Sequence, residues 1–358
     1  MTAQSLLDKM KKSGAIKATV LTKSDFFQAR DTVSTSIPAL NVALSGALNG
    51  GINPGLTLIA GPSRTFKSNT SMMILKAYLD KYPEAICLFY DSEFGSLPEY
   101  FRQAGIDTDR VLHIPITDLE ELKFDIIKRL EDIARGDKVF IYIDSIGNLA
   151  SKKEVEDALK ENSAQDMTRA KVLKSLFRII TPKLTLKNIP MVAINHTYDT
   201  LEMYAKRIMS GGQGPLLSAN TVLFTSRSQE KVGTELVGYN FTLTAEKSRT
   251  IREKSKFEMN ATFDGGVYKY SGFLDWAMEG QFIVKPKNGW YQEVDEDGVV
   301  IETKSYREKD LDVIFAKLLN NKRFQEFVTG KYLLPSSPDS VEEVASGTSQ
   351  EDLDADDE

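Results

Sequence analysis

The sequence predicts an α/β fold in which a twisted, mostly parallel sheet is flanked by helices. Short apolar or β-branched runs recur along the chain, at 56–60, 86–90, 111–114, 139–143, 191–194, 222–225 and 239–245. Several are apolar on successive residues, as strands buried on both faces must be. Between them fall windows of helical length at 67–81, 97–104, 118–135 and 168–187, with Asp118 as the expected N-cap of the third. Strand and helix alternating in this way predict a doubly wound sheet.

At 358 residues, 41% hydrophobic and 27% charged, the chain can bury one large core with extensions. We expect an N-terminal arm over residues 1–30, whose helix carries Leu6, Leu7 and Met10 on one face, and the α/β core over 31–268. After Gly265 and Gly266 the pattern becomes mixed, so 269–334 reads as a small C-terminal α/β domain and 335–358 as a disordered acidic tail. The lone Cys87 excludes a disulfide framework. The N-terminus lacks a secretory apolar segment, and no run reaches the roughly 20 apolar residues that cross a bilayer. A soluble, cytoplasmic protein without membrane contact is expected.

A net charge of −6 argues at first against a nucleic-acid partner, because phosphate binding calls for excess Lys and Arg. Nine carboxylates, however, crowd into the segment from Asp339 to Glu358, which holds no basic residue. Without them the chain is positive by about three, so its folded part is mildly basic and DNA stays open as a partner.

The first apolar run leads into Gly61-Pro62-Ser63-Arg64-Thr65-Phe66-Lys67-Ser68-Asn69 and then a helical window. Strand, glycine-led loop, Lys-Ser and helix make a P-loop. Backbone amides of the loop wrap the phosphates, Lys67 neutralises the β and γ oxygens, and Ser68 ligates Mg²⁺. Phe66 departs from the motif, because it stands where glycine supplies a positive φ. The run 139–143 ends in Asp144, the form of a Walker B carboxylate holding the magnesium hydration shell, in part through water. Glu93, just past the run 86–90, is placed to orient and deprotonate the water that attacks the γ-phosphate. ATP and Mg²⁺ are the expected cofactors.

The P-loop, the run Cys87-Leu88-Phe89-Tyr90-Asp91-Ser92-Glu93, the run 139–148, Asn195-His196 and Lys285-Pro286-Lys287-Asn288-Gly289-Trp290-Tyr291 together resemble the UvsX recombinases of T-even bacteriophages, members of the RecA family. The resemblance covers about residues 1–335, and that bacteriophage family also tolerates Phe at the position of Phe66. It implies a RecA-like P-loop ATPase core and a DNA-dependent ATPase that forms helical filaments on single-stranded DNA. Such a filament pairs with homologous duplex DNA and promotes strand invasion in recombination, replication and repair.

The same resemblance implies roles for matching positions. Lys67 and Ser68 hold phosphate and magnesium, Glu93 is the catalytic carboxylate, Asp144 the Walker B residue, and Tyr100 stacks on adenine. His196 senses the γ-phosphate, and Lys247 and Arg249 reach the γ-phosphate of the next subunit in a homo-oligomer. A phage single-strand binding protein, a loading mediator and a helicase are the implied partners in the infected bacterium. A ring-forming P-loop motor shares this core and remains the alternative.

Two stretches, 151–166 and 197–214, read as loops that hold DNA. The second carries Lys206, Arg207, Gly211 and Gly212, a mix of cations and exposed amides suited to phosphate capture without base readout. By position Lys171 and Arg178 resemble the basic residues that follow the first loop in RecA and contact the strand; Arg169 is a further candidate beside them, and Lys174 lies among them.

Overall fold

The structure, a computed structural model, describes residues 2–16, 18–24, 32–160, 168–200, 207–295 and 297–334. The expected acidic tail, Lys206 and residues 161–166 of the first expected DNA loop lie outside the described residues. Strands β1 (Gly55–Gly61), β2 (Ile86–Asp91), β3 (Val111–Pro115), β4 (Val139–Asp144) and β5 (Pro190–Asp199) each contain one of the apolar runs and extend past it. They are followed by β6 (Arg207–Met209), β7 (Thr221–Val232), β8 (Glu235–Ser248), β9 (Lys256–Thr262) and β10 (Gly266–Val267). The strand order is β10-β9-β8-β7-β1-β5-β4-β2-β3, with β6 paired to β5 off this path. From β7 to β3 every neighbouring pair is parallel, and from β7 to β10 every pair is antiparallel.

The helices are α1 (Ala3–Ser13), α2 (Pro38–Ser45), α3 (Lys67–Lys81), α4 (Pro98–Gln103), α5 (Leu119–Asp132), α6 (Lys152–Leu159), α7 (Thr168–Lys187), α8 (Gln213–Ser218), α9 (Phe273–Glu279), α10 (Asp312–Asn320) and α11 (Lys322–Tyr332). Asp118 caps α5 as expected, accepting from the Glu121 amide at 2.8 Å. Leu119, Leu122, Ile126 and Leu130 then bury one stripe of that helix.

Alternation along the strands builds two cores. Ile59, Phe89, Tyr142 and Ile194 face α2 and α3, while Leu58, Ala60, Tyr90, Ile143 and Ala193 face α5 and α7. Both faces of the sheet are thus covered, which is why its central runs are apolar on successive residues. The first core continues without a break into Phe273, Trp276, Phe324 and Tyr332. Residues 269–334 carry their own hairpin, β11 (Ile283–Lys287) with β12 (Trp290–Glu293), yet their helices share a core with the rest. In α1, Leu6, Leu7 and Met10 are exposed and no residue of the helix is buried.

Two expectations change. Residues 152–159 of the first expected loop form helix α6, started by a reciprocal capping pair between Ser151 and Glu154. The second expected loop begins as a β-ribbon, since β5 runs on to Asp199 and pairs with β6 through Thr197–Met209 and Asp199–Arg207.

Candidate active site

The parallel register sets the site. Gly61 pairs with His196 and Asp91 with Asp144, so β1, β4 and β2 end along one edge of the sheet, where β5 passes through His196 on its way to Asp199. The P-loop leaves β1 there. A Cβ on Gly61 would lie 2.1 Å from Thr225 Oγ1, so only glycine allows the turn to start where it does. Thr65 Oγ1 lies 2.6 Å from Thr225 Oγ1 and donates to Pro62 O at 2.8 Å, tying the loop to β7.

Phe66 adopts the positive φ that glycine would supply, at 67°. Its ring stacks on Phe241 of β8, with centroids 4.5 Å apart and planes 17° from parallel. The left-handed conformation costs an L-residue about 1–2 kcal/mol, and stacking plus burial of the ring return a similar amount. The departure from the motif is therefore accommodated by packing rather than by backbone freedom. Arg64 also has a positive φ, 61°, and with Ser63 and Asn69 it is exposed at the rim.

Lys67 opens α3 and is buried, its ammonium donating to Pro62 O at 2.7 Å. Burial pulls its pKa down, while Glu93 and Asp144 act the other way. Asp144 Oδ2 accepts from Ser68 Oγ at 2.9 Å and from the Tyr142 hydroxyl at 2.8 Å. Its Oδ1 is buried with no hydrogen-bond partner among the described residues, and burial raises the carboxyl pKa. A serine hydroxyl beside a bare, buried carboxylate oxygen is the donor set that a hard divalent cation takes. Ser68 and Asp144 fit the Mg²⁺ that the sequence implies.

Glu93 follows β2 and is held by the loop around it. Asp91 Oδ1 accepts the amides of Glu93 and Phe94 at 3.1 and 2.8 Å, and the Glu93 amide also points at Asp144 O. The Glu93 carboxylate accepts from His196 Nε2 at 2.9 Å and Ser145 Oγ at 2.7 Å through the same oxygen. The His196 bond holds its pKa below the usual carboxylate range against a smaller opposing effect of burial. Glu93 is thus ionised and able to accept a proton at neutral pH.

A cleft of about 640 Å³ runs from Asp144, Glu93 and Ser68 past Asn69 to Tyr100. Tyr100 lines its outer wall, half exposed, as an adenine platform would. Met72, Met73, Gly266 and Val267 complete that end. The sequence reading missed these four, and treated Gly266 only as the mark of a domain boundary.

Around His196 the ribbon is anchored by its own polar groups. Asn195 Oδ1 accepts the His196 amide at 2.8 Å, and Asn195 Nδ2 donates to Ser210 O at 2.9 Å. Gly211 and Gly212 then turn with φ of 84° and 77°, and a Cβ on Gly211 would strike Leu173 of α7 at 2.4 Å. Lys171, Lys174 and Arg178 stand exposed on α7 beside this turn. Arg207 pairs with Asp199 at 3.1 Å on the surface.

Arg169 is placed differently from its neighbours on α7. Its guanidinium turns inward, donating to Leu149 O at 2.8 Å, Gly147 O at 2.9 Å, Ile146 O at 3.1 Å and Ser210 Oγ at 3.0 Å. With its donors spent on the protein, it clasps the loop after β4 to the turn after β6 and presents little charge to a phosphate. Lys247 and Arg249 do not join the site of their own chain. Lys247 pairs with Val222, which sits level with Leu58, three residues below Gly61. Its ammonium donates to Leu216 O at 2.9 Å and Leu217 O at 2.7 Å, and Arg249 is exposed.

This geometry agrees with comparisons to known proteins. The model of the RecA N-terminal domain matches residues 2–261. The chain belongs to the RecA family. Residues 270–328 match the model of the C-terminal domain of the bacteriophage T4 recombination and repair protein. The recombination and repair protein of Enterobacteria phage T4 is 50% identical over 335 residues, covering 90% of this chain and 86% of that protein. Protein RecA of Cutibacterium acnes is 25% identical over 262 residues, 72% of this chain and 73% of that protein. Protein RecA of Leifsonia xyli is 24% identical over 260 residues, 71% of each. No helix among the described residues is long and apolar enough to cross a membrane.

Proposed function

We propose that this chain is an ATP-dependent recombinase that assembles as a helical filament on single-stranded DNA, pairs it with homologous duplex and promotes strand invasion in recombination and repair. The names of its relatives, recombination and repair protein and RecA, support that class. The observation that carries the reading is the hydrogen bond between Glu93 and His196. It joins the carboxylate beside the phosphate site to the strand whose continuation, through β6 and the Gly211-Gly212 turn, packs on α7 at Ala170 and Leu173, next to its exposed basic side chains. Nucleotide state and DNA grip are thereby one connected piece of backbone.

In this reading the P-loop amides and Lys67 bind the ATP phosphates, Tyr100 carries the adenine, and Glu93 takes the proton of the attacking water. Ser68 and Asp144 hold Mg²⁺, which supplies charge neutralisation at the phosphates when bound. Lys171, Arg178, Arg207 and the turn amides hold the DNA backbone, leaving sequence reading to base pairing. Lys206, outside the described residues, belongs with them by sequence alone. A phage single-strand binding protein, loading mediator and helicase would serve the filament in the infected cell.

The placement of Lys247 and Arg249 away from their own P-loop fits a site completed by a neighbouring subunit. Lys247→Ala/Arg249→Ala should lose hydrolysis while binding ATP, and adding Lys67→Ala protein should restore part of it. Co-filaments that stay inactive would remove the shared site. For the function as a whole, ATP turnover should rise with single-stranded DNA, and electron microscopy with ATP and that DNA should show open helical filaments. Closed rings with duplex unwinding would identify a ring motor instead.

A further inference from the structure

Strand β4 carries a second polar side chain on the face of Asp144. Tyr142 precedes it by two residues, so both project to the same side of the strand. The tyrosine is fully buried in the core against α2 and α3, and its ring stacks on Phe89 of β2, with centroids 5.0 Å apart and planes 17° from parallel. Phe89 and Tyr142 are register partners, so the stack is fixed by the sheet itself. A phenol in such a place must find a partner, and this one donates to Asp144 Oδ2 at 2.8 Å.

The two oxygens of Asp144 are consequently unequal. Oδ2 receives Tyr142 at 2.8 Å, Ser68 at 2.9 Å and Ser96 at 3.5 Å, whereas Oδ1, at the edge of the cleft, is buried and has no partner among the described residues. Of the three donors, Ser68 is itself expected to bind the cation, and Ser96 makes the longest contact, from the loop after β2. Only Tyr142 reaches the carboxylate from inside the sheet, on a ring that packing holds in one orientation. We propose that Tyr142 is a positioning residue for magnesium: it locks the Asp144 carboxylate so that Oδ1 is the oxygen offered to the cation and its waters, and so sets how much Mg²⁺ the nucleotide site requires.

The inference rests on the nucleotide site proposed above. Groups that orient metal ligands from behind are typically worth ~10-fold or more in metal affinity. Tyr142→Phe keeps the ring, the stack and the volume, and removes only the hydroxyl. The experiment is binding of a fluorescent ADP analogue, first with EDTA and then across a Mg²⁺ titration, alongside thermal unfolding without metal. We expect metal-free binding of the analogue within about twofold of the parent, and a Mg²⁺ half-saturation ~10-fold higher. Ser96→Ala should move that midpoint less than the Tyr142 variant does. A Mg²⁺ curve that coincides with the parent's would make Tyr142 an ordinary core residue. Parallel loss of metal-free binding and of thermal stability would overturn the proposal equally, because the hydroxyl would then support the cleft as a whole. If the parent protein binds the analogue with no response to Mg²⁺, it is the nucleotide site that fails, and that result is read before any variant is made.

Discussion

The cations at the nucleotide end and those along helix α7 are held in opposite ways. Lys67 is buried, donates to a backbone carbonyl 2.7 Å away, and has its charge opposed by burial and supported by Glu93 and Asp144. Lys171, Lys174 and Arg178 lie in water on one side of α7, at spacings of three and four residues. The first arrangement is preorganised for one ligand geometry, with few donors in a low-dielectric setting where each counts heavily. The second offers charge without fixed geometry, which suits a polyanion gripped regardless of sequence. Arg169 shows that proximity in sequence does not decide the class: it sits two residues before Lys171 yet is spent inside the protein.

Substitutions should separate the two arrangements by size of effect. Lys67→Ala should cost ATP turnover roughly 10³–10⁵-fold, the scale of a cation at a transferring phosphoryl group. Turnover within tenfold of the parent would break the assignment of the P-loop. Glu93→Gln should retain nucleotide binding and slow hydrolysis by ~10²–10⁴-fold, the weight of a general base.

The same carboxylate gives a pH dependence. Because the His196 bond holds its pKa down, Glu93 favours the fold above the ordinary carboxylate pKa, and that contribution is lost as pH falls through its depressed folded value. His196→Ala removes the largest cause, so the acid limb of basal turnover should move to higher pH. An unmoved limb in a pH series would detach His196 from Glu93.

On the helix, Lys171→Ala or Arg178→Ala should lower the slope of log affinity against log salt by about one each, with basal ATP turnover unchanged. Arg169→Gln should leave that slope alone and instead loosen the loops it clasps, read as faster amide exchange around Ser210. A reduced slope in the Arg169 variant would return it to the DNA face.

Much of this was legible in the sequence, for physical reasons. Continuous apolar runs announce strands covered on both sides, and the local pattern already sets the glycine-led loop with Lys67 and Ser68 after β1 and Asp144 at the end of β4. Strand ends were less legible: β5 continues to Asp199 through polar residues because it pairs with β6 in a ribbon rather than in the core. Gly266 and Val267 were missed because they reach the cleft by the sheet's antiparallel edge, a contact between distant segments that local pattern does not encode. Arg169 looks like its neighbours, one cation among four, until its carbonyl partners are known. Tyr142 had a signal, its period-two spacing from Asp144, that a search for polar residues within the strand would have found.

The smallest effect concerns Phe66, where sequence and structure disagree about cost. By the motif alone, Phe66→Gly should stabilise the protein, since glycine adopts a φ of 67° without the ~1–2 kcal/mol that an L-residue spends there. The structure adds two opposing terms. The ring stacks on Phe241 at 4.5 Å, worth ~0.5–1.5 kcal/mol beyond the ~1 kcal/mol or more of apolar burial it contributes. Glycine also loosens the unfolded chain by about 0.5–1 kcal/mol. Together these outweigh the relief, so Phe66→Gly should be less stable by roughly 1 kcal/mol, a fall in Tm of about 1–2 °C for a chain of 358 residues. Metal-free nucleotide affinity should change little, because the loop backbone keeps a conformation glycine adopts readily. Phe241→Ala should show the same sign and a larger loss, having removed the stack while leaving Phe66 in its costly conformation. A rise in Tm for Phe66→Gly would mean that packing does not offset the strain at this turn, and that the aromatic pair is retained for something other than stability.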